Sequence, residues 1–308
     1  MEFSLCYSFL VPEHTYIFTT EDNDTTRWLS LHRAVEYAEV RKVIEMMNGS
    51  SLSPVLIKGW AASRSYPNDK TRYATDIDLA FSKREFESAA KLFRESERRG
   101  LPVDVHDELR HLDSLPWDTL FDRSIIIDLD GVAVRILSDE DHLRVLAVHW
   151  LTDGGWNKDR LWDIFYLVDN RSTDFDWEKC LGAVSNTRRR WIVCAIGLTH
   201  RYLDLNIDDL PFADEAKDLP QWLIKALERE WASRLQLQPL LMFTSQPKLL
   251  WKQIMKRIPP NAIQSTIDME GSFDSRFKFH YQVGSFFKRL KPAVKKIFVL
   301  IKHSKIGG

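Results

Sequence analysis

Apolar and polar residues alternate with two different periods along the chain, and the change of period divides it. Up to residue 137, short runs with strand-like alternation are interleaved with helical stripes, whereas helical spacing dominates from Ser138 onward. The pattern predicts an α+β (mixed α/β) fold. Its predicted parts are an α/β core with an N-terminal helix in 1–137, a mostly helical domain in 138–258 and a basic amphipathic segment in 259–308.

The α/β part is predicted to contain five strands and two long helices. In chain order they are a helix over 26–47, strands at 54–57 and 76–81, a helix between 82 and 100, a strand at 103–106, and strands at 125–129 and 132–137. Asp130-Gly131 between the last two strands is typical of a type I′ hairpin turn. Residues 59–75 show no apolar period and are predicted to form a long loop.

The second half is predicted to be helical throughout, with breaks at turn residues. The capping box Ser138-x-x-Asp141 predicts that a helix begins here, and the further predicted helices are 158–168, 178–184, 191–203, 222–235 and 249–258. Pro259-Pro260 ends the pattern.

Composition favours an ordinary globular protein. With 308 residues, of which 44% are apolar and 28% charged, the chain can bury a sizeable core. Three cysteines without C-x-x-C spacing argue against a disulfide framework, so a reducing cytoplasm is the expected location. The sequence shows neither a signal peptide nor an apolar run of the ~20 residues that a membrane span needs.

Charge is distributed unevenly. Residues 271–308 carry nine Lys or Arg against one acid, Asp274, so the rest of the chain is net acidic. An acidic body argues against an extended nucleic acid as partner. The basic amphipathic stretch 283–303 has two interpretations, namely peripheral contact with an anionic membrane surface or packing of its apolar face on the body.

The candidate chemistry starts at two aspartates. Asp76 and Asp78 are separated by one apolar residue in a predicted strand, so their carboxylates project from the same face. Carboxylate pairs of this kind suit a hard divalent cation such as Mg²⁺. The preceding loop carries Ser63, Arg64, Lys70 and Arg72, and cations and hydroxyls are the groups that hold phosphates.

These residues form part of a longer pattern. The pattern consists of Leu56-Ile57-Lys58-Gly59, Tyr66-Pro67, Arg72, Thr75-Asp76-Ile77-Asp78-Leu79, Asp104-Val105-His106, and then His149, Arg160, Leu161 and Asp163. It resembles the uncharacterised nucleotidyltransferase family, a branch of the superfamily typified by DNA polymerase beta and often found beside polysaccharide and peptide natural-product genes. The resemblance covers about residues 26–186.

The resemblance implies a function for each matching position. Asp76, Asp78 and Asp104 would be the catalytic carboxylates and would bind two ions, Mg²⁺ or Mn²⁺, beside a nucleoside triphosphate such as ATP. Lys58, Gly59, Ser63, Arg72, His106 and His149 would line the nucleotide site. The superfamily has Gly-Ser or Gly-Gly where this chain has Gly59-Trp60, so Lys58 or Ser63 would take over that phosphate contact.

Several of these residues also have purely structural interpretations. His106 either orients Asp104 or satisfies a hydrogen bond, and His149 on an apolar helix face is either a core residue or a nucleotide contact. Arg160 and Asp163 are three residues apart and are expected to form an ion pair.

The predicted function is metal-dependent transfer of a nucleoside monophosphate to a hydroxyl or phosphate of a small molecule, sugar or peptide, with release of pyrophosphate. One alternative is a toxin-like nucleotidyltransferase that modifies RNA or protein. The other is a nucleotide-binding protein without catalytic activity. The identity of the acceptor distinguishes the first two functions, and the absence of nucleotidyl transfer distinguishes the third.

Overall fold

The structure is a computed structural model of the chain, in which the described residues form two compact units. Described are residues 23–67, 70, 72, 74, 76–97, 101–233, 235, 237–238, 240–243 and 245–289. The first unit draws on 1–147, 159–184 and 199–209, and the second on 148–158, 185–198 and 210–308. The three-part division predicted from the sequence remains a prediction.

A five-stranded mixed sheet lies in the first unit. Its strands are β1 (Val55–Ile57), β2 (Ile77–Phe81), β3 (Val103–Asp107), β4 (Ile125–Leu129) and β5 (Val132–Ile136). They lie in the order β3-β2-β1-β5-β4. The pairs β1–β2 and β4–β5 are antiparallel, whereas β2–β3 and β1–β5 are parallel.

Helices make up most of the other described residues of the two units. They are α1 (Asn23–Asn48), α2 (Gly59–Ser63), α3 (Lys83–Glu97), α4 (Trp117–Arg123), α5 (Asp139–Thr152), α6 (Leu161–Asp169), α7 (Asn186–Leu203), α8 (Ala213–Lys217), α9 (Gln221–Trp231), α10 (Pro247–Lys256) and α11 (Ala262–Asp268). Residues 279–289 are also helical. This architecture confirms the predicted α+β fold class.

The core of the first unit forms where the helical stripe of α1 meets the sheet. Val40, Val43, Ile44 and Met47 recur every three or four residues along α1 and are fully buried. They belong to one cluster with the apolar residues of the central strands. Every residue of β2 is buried, Asp78 included. A carboxylate at such a position needs a charged or hydrogen-bonding partner.

The hairpin of β4 and β5 turns as the sequence predicts. Asp130 and Gly131 both have positive φ, 49° and 81°, as a type I′ turn requires. The Gly131 amide donates to the carboxylate of Asp128 at 3.1 Å. Asp128 therefore stabilises a turn. The sequence Asp128-x-Asp130 has the same D-x-D spacing as Asp76 and Asp78, and this turn explains it.

Other local predictions were wrong, and the short helices were missed for a physical reason. Residues 59–63 form the short helix α2, because Ala61 and Ala62 pack into the core although five residues are too few to show an apolar period. The helices α4, α8 and α11 were missed for the same reason, since they span only five to seven residues. Residues 178–182 form a π-helix, and α9 ends at Trp231 instead of 235.

The second unit has its own aromatic centre. Trp191 and Phe273 are fully buried, and their rings lie 6.4 Å apart. The indole N–H of Trp191 donates to the Gly271 carbonyl at 2.9 Å, and that of Trp222 donates to the Phe273 carbonyl at 2.8 Å. The segment around Phe273 is thereby held against α7 and α9.

The described residues contain no helix long and apolar enough to cross a membrane. Cys180 and Cys194 are free and buried. Of the predicted basic segment 283–303, only residues up to 289 are described, and the remainder lies outside the described residues.

Candidate active site

The site begins where β1 ends beside β2. Ile57 and Asp78 are register partners in this antiparallel pair, so Lys58 leaves β1 next to the Asp78 side chain. Lys58 Nζ lies 2.6 Å from Asp78 Oδ1, and both side chains are more than nine-tenths buried. The buried carboxylate of β2 therefore has a buried cation as its partner.

The turn after β1 requires an unusual backbone. Lys58 has φ of 53° and Gly59 has φ of 24°, values that L side chains rarely adopt. A Cβ at Gly59 would lie 3.3 Å from the Asp76 carbonyl oxygen. Glycine thus allows the turn to approach the segment that carries the aspartates.

The third carboxylate comes from β3. Asp78 and Asp104 are direct register partners in the parallel pair, so their side chains lie on the same face of the sheet. His106, two residues further along β3, shares that face. Its Nε2 lies 2.8 Å from Asp78 Oδ1 and 3.3 Å from Asp104 Oδ2. The imidazole therefore bridges the two carboxylates.

The charges around Asp78 set its protonation state. Burial alone would raise the pKa of Asp78, but the charge of Lys58 and the hydrogen bonds from His106 and Lys58 outweigh burial and hold the pKa well below its usual range. Burial would lower the pKa of His106, but hydrogen bonds to Asp104 and Asp78 raise it above the ordinary value. An ionised Asp78 between the Lys58 ammonium and the His106 imidazole is the resulting arrangement.

Asp76 lies immediately before β2 and is exposed as a residue. Its pKa is nevertheless raised, first because surrounding protein atoms displace water from the carboxyl group and then because the charges of Asp78 and Asp104 repel it. This repulsion is what a nearby divalent cation would relieve.

The donor set fits a divalent cation. Ligand atoms of Asp78, Asp104 and His106 all lie within 4.8 Å of one another, and the charges of Asp78 and Asp104 act on a third carboxylate, that of Asp76. Carboxylate oxygens are the preferred ligands of Mg²⁺, and an imidazole nitrogen is also acceptable to Mn²⁺. We infer the fit from this chemistry and from the mutual repulsion of the carboxylates.

Arg72 occupies a different environment from the one that the sequence predicts. It is buried, its Nε and Nη2 donate to the two carboxylate oxygens of Asp163 at 2.7 and 3.0 Å, and the Tyr66 hydroxyl donates to the same carboxylate at 2.8 Å. The expected ion pair of Asp163 with Arg160 is also present, at a longer distance of 3.9 Å. Tyr66 and Arg72, which lie between α2 and β2, are therefore both hydrogen-bonded to Asp163 of α6.

Ser63 and His149, the other two residues predicted to line the nucleotide site, belong to different units. Ser63 ends α2, four residues beyond Gly59, and its hydroxyl donates to the Trp60 carbonyl at 2.7 Å. His149 belongs to the second unit, is half-buried, and has its Nε2 3.6 Å from Asp153 Oδ2. The first unit thus brings together Lys58, Gly59, Asp76, Asp78, Asp104 and His106.

Sequence analysis missed Glu36. This residue of α1 is only 8% exposed, and its Oε1 has no hydrogen-bond partner among the described residues. Burial raises its pKa to about 7, against the opposing charge of Arg72. A signal was present, because Glu36 precedes Val40 and Met47 by four and eleven residues and so continues the apolar stripe of α1.

Replacing Glu36 by Gln should remove a pH dependence of stability. The folded-state pKa is about 7 and the ordinary value is 4.5, so the native state binds more protons between these values and stability falls as the pH rises. Relative to Glu36→Gln, the wild type should lose up to about 3 kcal/mol of unfolding free energy across this range. Urea unfolding at a series of pH values measures the difference.

Glu45→Gln is the matched control, because the same substitution on the same helix there affects an exposed side chain. The difference between this variant and the wild type should vary little with pH. A flat difference for Glu36→Gln as well would contradict the raised pKa.

Comparison with known proteins identifies similar sequences and structures. Residues 24–204, more than half of the chain, match the family described as uncharacterised nucleotidyltransferase. The crystal structure of an antigenic nucleotidyltransferase-like protein from Paracoccidioides brasiliensis is similar over 60% of this chain and 93% of its own, with 13% identity and a TM-score of 0.42. No curated protein matches. On the extent of the family match, the chain belongs to the uncharacterised nucleotidyltransferase family.

Proposed function

We propose that the protein is a metal-dependent nucleotidyltransferase that moves a nucleoside monophosphate from a nucleoside triphosphate to a hydroxyl or phosphate of a small-molecule, sugar or peptide acceptor. The observation that carries this proposal is the convergence of Asp78, Asp104 and His106 within 4.8 Å beside the buried Lys58. Membership of the family supports nucleotidyl transfer as the reaction class.

Three carboxylates are proposed to hold the metal. Asp76, Asp78 and Asp104 would bind divalent cations, Mg²⁺ or Mn²⁺, and two ions are expected from the resemblance. When bound, such ions lower the pKa of an acceptor hydroxyl and neutralise the charge of the triphosphate. The site offers hard oxygen donors for this purpose, and the repulsion among them favours a cation.

Lys58 is proposed to bind the triphosphate. Its ammonium group is buried at the turn after β1, where a fixed cation interacts strongly with a phosphate oxygen because little water screens it. Gly59 lets the backbone come close at the same turn. Ser63 is a candidate for a further phosphate contact, since its hydroxyl oxygen can still accept a hydrogen bond.

Asp104 is proposed to take the proton of the acceptor. Its side chain is the most accessible of the three site residues on β2 and β3, with 36% of its surface exposed against 6% for Asp78. As the acceptor oxygen bonds to the α-phosphorus, the bond from that phosphorus to the β-phosphate bridging oxygen breaks and pyrophosphate leaves. The proton of an acceptor hydroxyl passes to an Asp104 carboxylate oxygen, which His106 holds in place.

A catalytically inactive nucleotide-binding protein is the second candidate, because one observation favours it. The superfamily has Gly-Ser or Gly-Gly at the phosphate-binding turn, where this chain has Gly59-Trp60. The two candidates differ in whether binding needs a divalent cation and whether pyrophosphate is released.

Calorimetric titration with each of four ribonucleoside triphosphates, with and without Mg²⁺, tests the proposal. We expect one or more nucleotides to bind only with the metal, and slow release of pyrophosphate. Asp76→Ala/Asp104→Ala should abolish both, because it removes two ligands and leaves the buried Lys58–Asp78 pair intact. Asp118→Ala/Asp122→Ala, which removes two exposed acids of α4, is the control that matches the change in charge.

Three results would each change the proposal. Nucleotide binding that ignores Mg²⁺ and releases no pyrophosphate would favour the inactive binding protein. Binding of no nucleotide in the low-millimolar range would reject both candidates. Transfer that occurs only with RNA or protein as acceptor would favour the toxin-like alternative.

A cytoplasmic location, expected from the cysteines, would be tested by fractionation of cells that express the protein.

A further inference from the structure

The helix formed by residues 279–289 exposes apolar side chains that an ordinary surface helix would bury. Phe279, Val283 and Phe287 follow one another at intervals of four residues and therefore lie on one face. Their exposed fractions are 71%, 38% and 60%. Phe277, just before the helix, is 69% exposed. An amphipathic helix that only completed a core would bury this face.

The opposite, more polar face of the same helix packs on the rest of the second unit. Ser285 is fully buried, and its hydroxyl donates to the carboxylate of Asp268 at 2.7 Å. The Arg289 guanidinium donates to the same carboxylate at 2.6 Å, and the Gln282 amide donates to the Pro260 carbonyl at 2.7 Å. The Lys288 ammonium donates to the Asp268 carbonyl at 2.6 Å. Four polar side chains of the helix thus fix which of its faces packs on the protein.

Close contacts at two glycines fix the same orientation. A Cβ at Gly271 would lie 2.4 Å from the Tyr281 ring, and a Cβ at Gly284 would lie 2.7 Å from the Met269 side chain. Only hydrogen atoms fit in these spaces, so the helix sits tightly on the segment after α11. Rotation that buried Phe279 and Phe287 would break these contacts together with the bonds to Asp268.

Charge indicates what the exposed apolar face would meet. Arg276 stands over the ring of Phe277 at 5.6 Å, and the sequence continues after the helix with a further set of cations. These are Lys291, Lys295, Lys296, Lys302 and Lys305. Because Asp274 is the single acid after residue 270, an acidic counterpart is favoured. Aromatic side chains flanked by cations are typical of helices that lie in the headgroup region of anionic bilayers.

We infer that the face formed by Phe277, Phe279, Val283 and Phe287 docks the protein on an anionic lipid surface, with the neighbouring Lys and Arg side chains meeting lipid phosphates. The inference goes beyond the proposed function and does not depend on it. Nucleotide binding and vesicle binding are separate measurements, so either can fail alone.

Vesicle flotation with the full chain tests the inference. Vesicles of phosphatidylcholine containing about one third phosphatidylglycerol should bind the protein, and pure phosphatidylcholine vesicles should bind it at least about tenfold more weakly. Raising the salt concentration should weaken binding to the anionic vesicles by at least about tenfold, because the electrostatic part is screened. This salt series requires no variant.

Phe279→Ser/Phe287→Ser should weaken binding to anionic vesicles by at least about tenfold, since two apolar side chains no longer enter the bilayer. Leu31→Ser/Ile126→Ser is the matched control, because these side chains are exposed to 59% and 61% and the change in charge is likewise zero. The control should bind within about twofold of the wild type.

Four results would overturn the inference. They are no binding to anionic vesicles, equal binding to neutral vesicles, binding that salt leaves unchanged, and equal binding by the Phe279→Ser/Phe287→Ser variant. Sedimentation velocity adds one more outcome. A dimer of the wild type that the same variant abolishes would assign this face to a second copy of the chain instead of a membrane.

Discussion

Asp104→Asn is expected to lower the rate of pyrophosphate release by at least about a hundredfold, while the protein remains folded. The amide keeps the size of the side chain but cannot accept a proton, and it is a weaker metal ligand than a carboxylate. Asp104 is the carboxylate best suited to this test, because it is partly exposed and its bond to His106 is long at 3.3 Å. Asp78 is less suitable, since its loss would leave the buried Lys58 without its partner.

Two measurements separate catalysis from binding in this variant. Single-turnover release of pyrophosphate reports the chemical step. Electron paramagnetic resonance of Mn²⁺ reports metal affinity, which should fall by about tenfold or more when a ligand is removed. Asp128→Asn is the control, because the same substitution there affects a carboxylate that only bonds the hairpin turn. A rate for Asp104→Asn within about threefold of the wild type would remove Asp104 from the proposed chemistry.

The D-x-D strand and its neighbours could be predicted because the information is local. Alternation with period two places Asp78 on a strand face, and the turn residues Lys58-Gly59 mark the end of β1. The pairing of β2 with β3, which brings Asp104 directly beside Asp78, is a long-range feature, and the family resemblance implied it where periodicity alone could not.

The partner of Arg72 could not be predicted in the same way. Arg72 and Asp163 are ninety-one positions apart, and the sequence offered a nearer candidate for Asp163 in Arg160. Intervals of three or four residues identify neighbours on one helix, whereas a buried pair between a loop and a distant helix depends on how the chain folds back. Glu36 is the opposite case. Its spacing from Val40 and Met47 indicated the buried face of α1, but an acidic side chain is ordinarily expected to be exposed.

The short helices show a third kind of failure. An apolar period needs two or more turns to be visible, and α2 has five residues. Its position follows from the strained turn at Lys58 and Gly59 and from the burial of Ala61 and Ala62. These are properties of the packed core, so the sequence alone predicted a loop for residues 59–63. The helix nevertheless lies directly after the turn at Lys58 that borders the aspartates.

Asp163→Ala is expected to lower the free energy of unfolding by about 3–5 kcal/mol. The substitution leaves the Arg72 guanidinium buried without its carboxylate and removes the acceptor of the Tyr66 hydroxyl. Urea unfolding measures the effect. Glu45→Ala is the control, because it breaks an exposed ion pair with Arg41 and should lower stability by at most about 0.5 kcal/mol. A loss below about 1 kcal/mol for Asp163→Ala would contradict the buried pair.

The double variant Arg72→Met/Asp163→Leu separates two roles of Arg72. Apolar side chains of similar size often restore the stability lost when one member of a buried ion pair is removed, so the double variant should be more stable than Asp163→Ala. If Arg72 acts by fastening the segment before Asp76 to α6, nucleotide affinity should stay within about threefold once stability returns. If Arg72 binds a phosphate, as the sequence suggested, affinity should fall by about tenfold or more despite the regained stability. The geometry favours the first result, because two of the three guanidinium nitrogens already bond to Asp163.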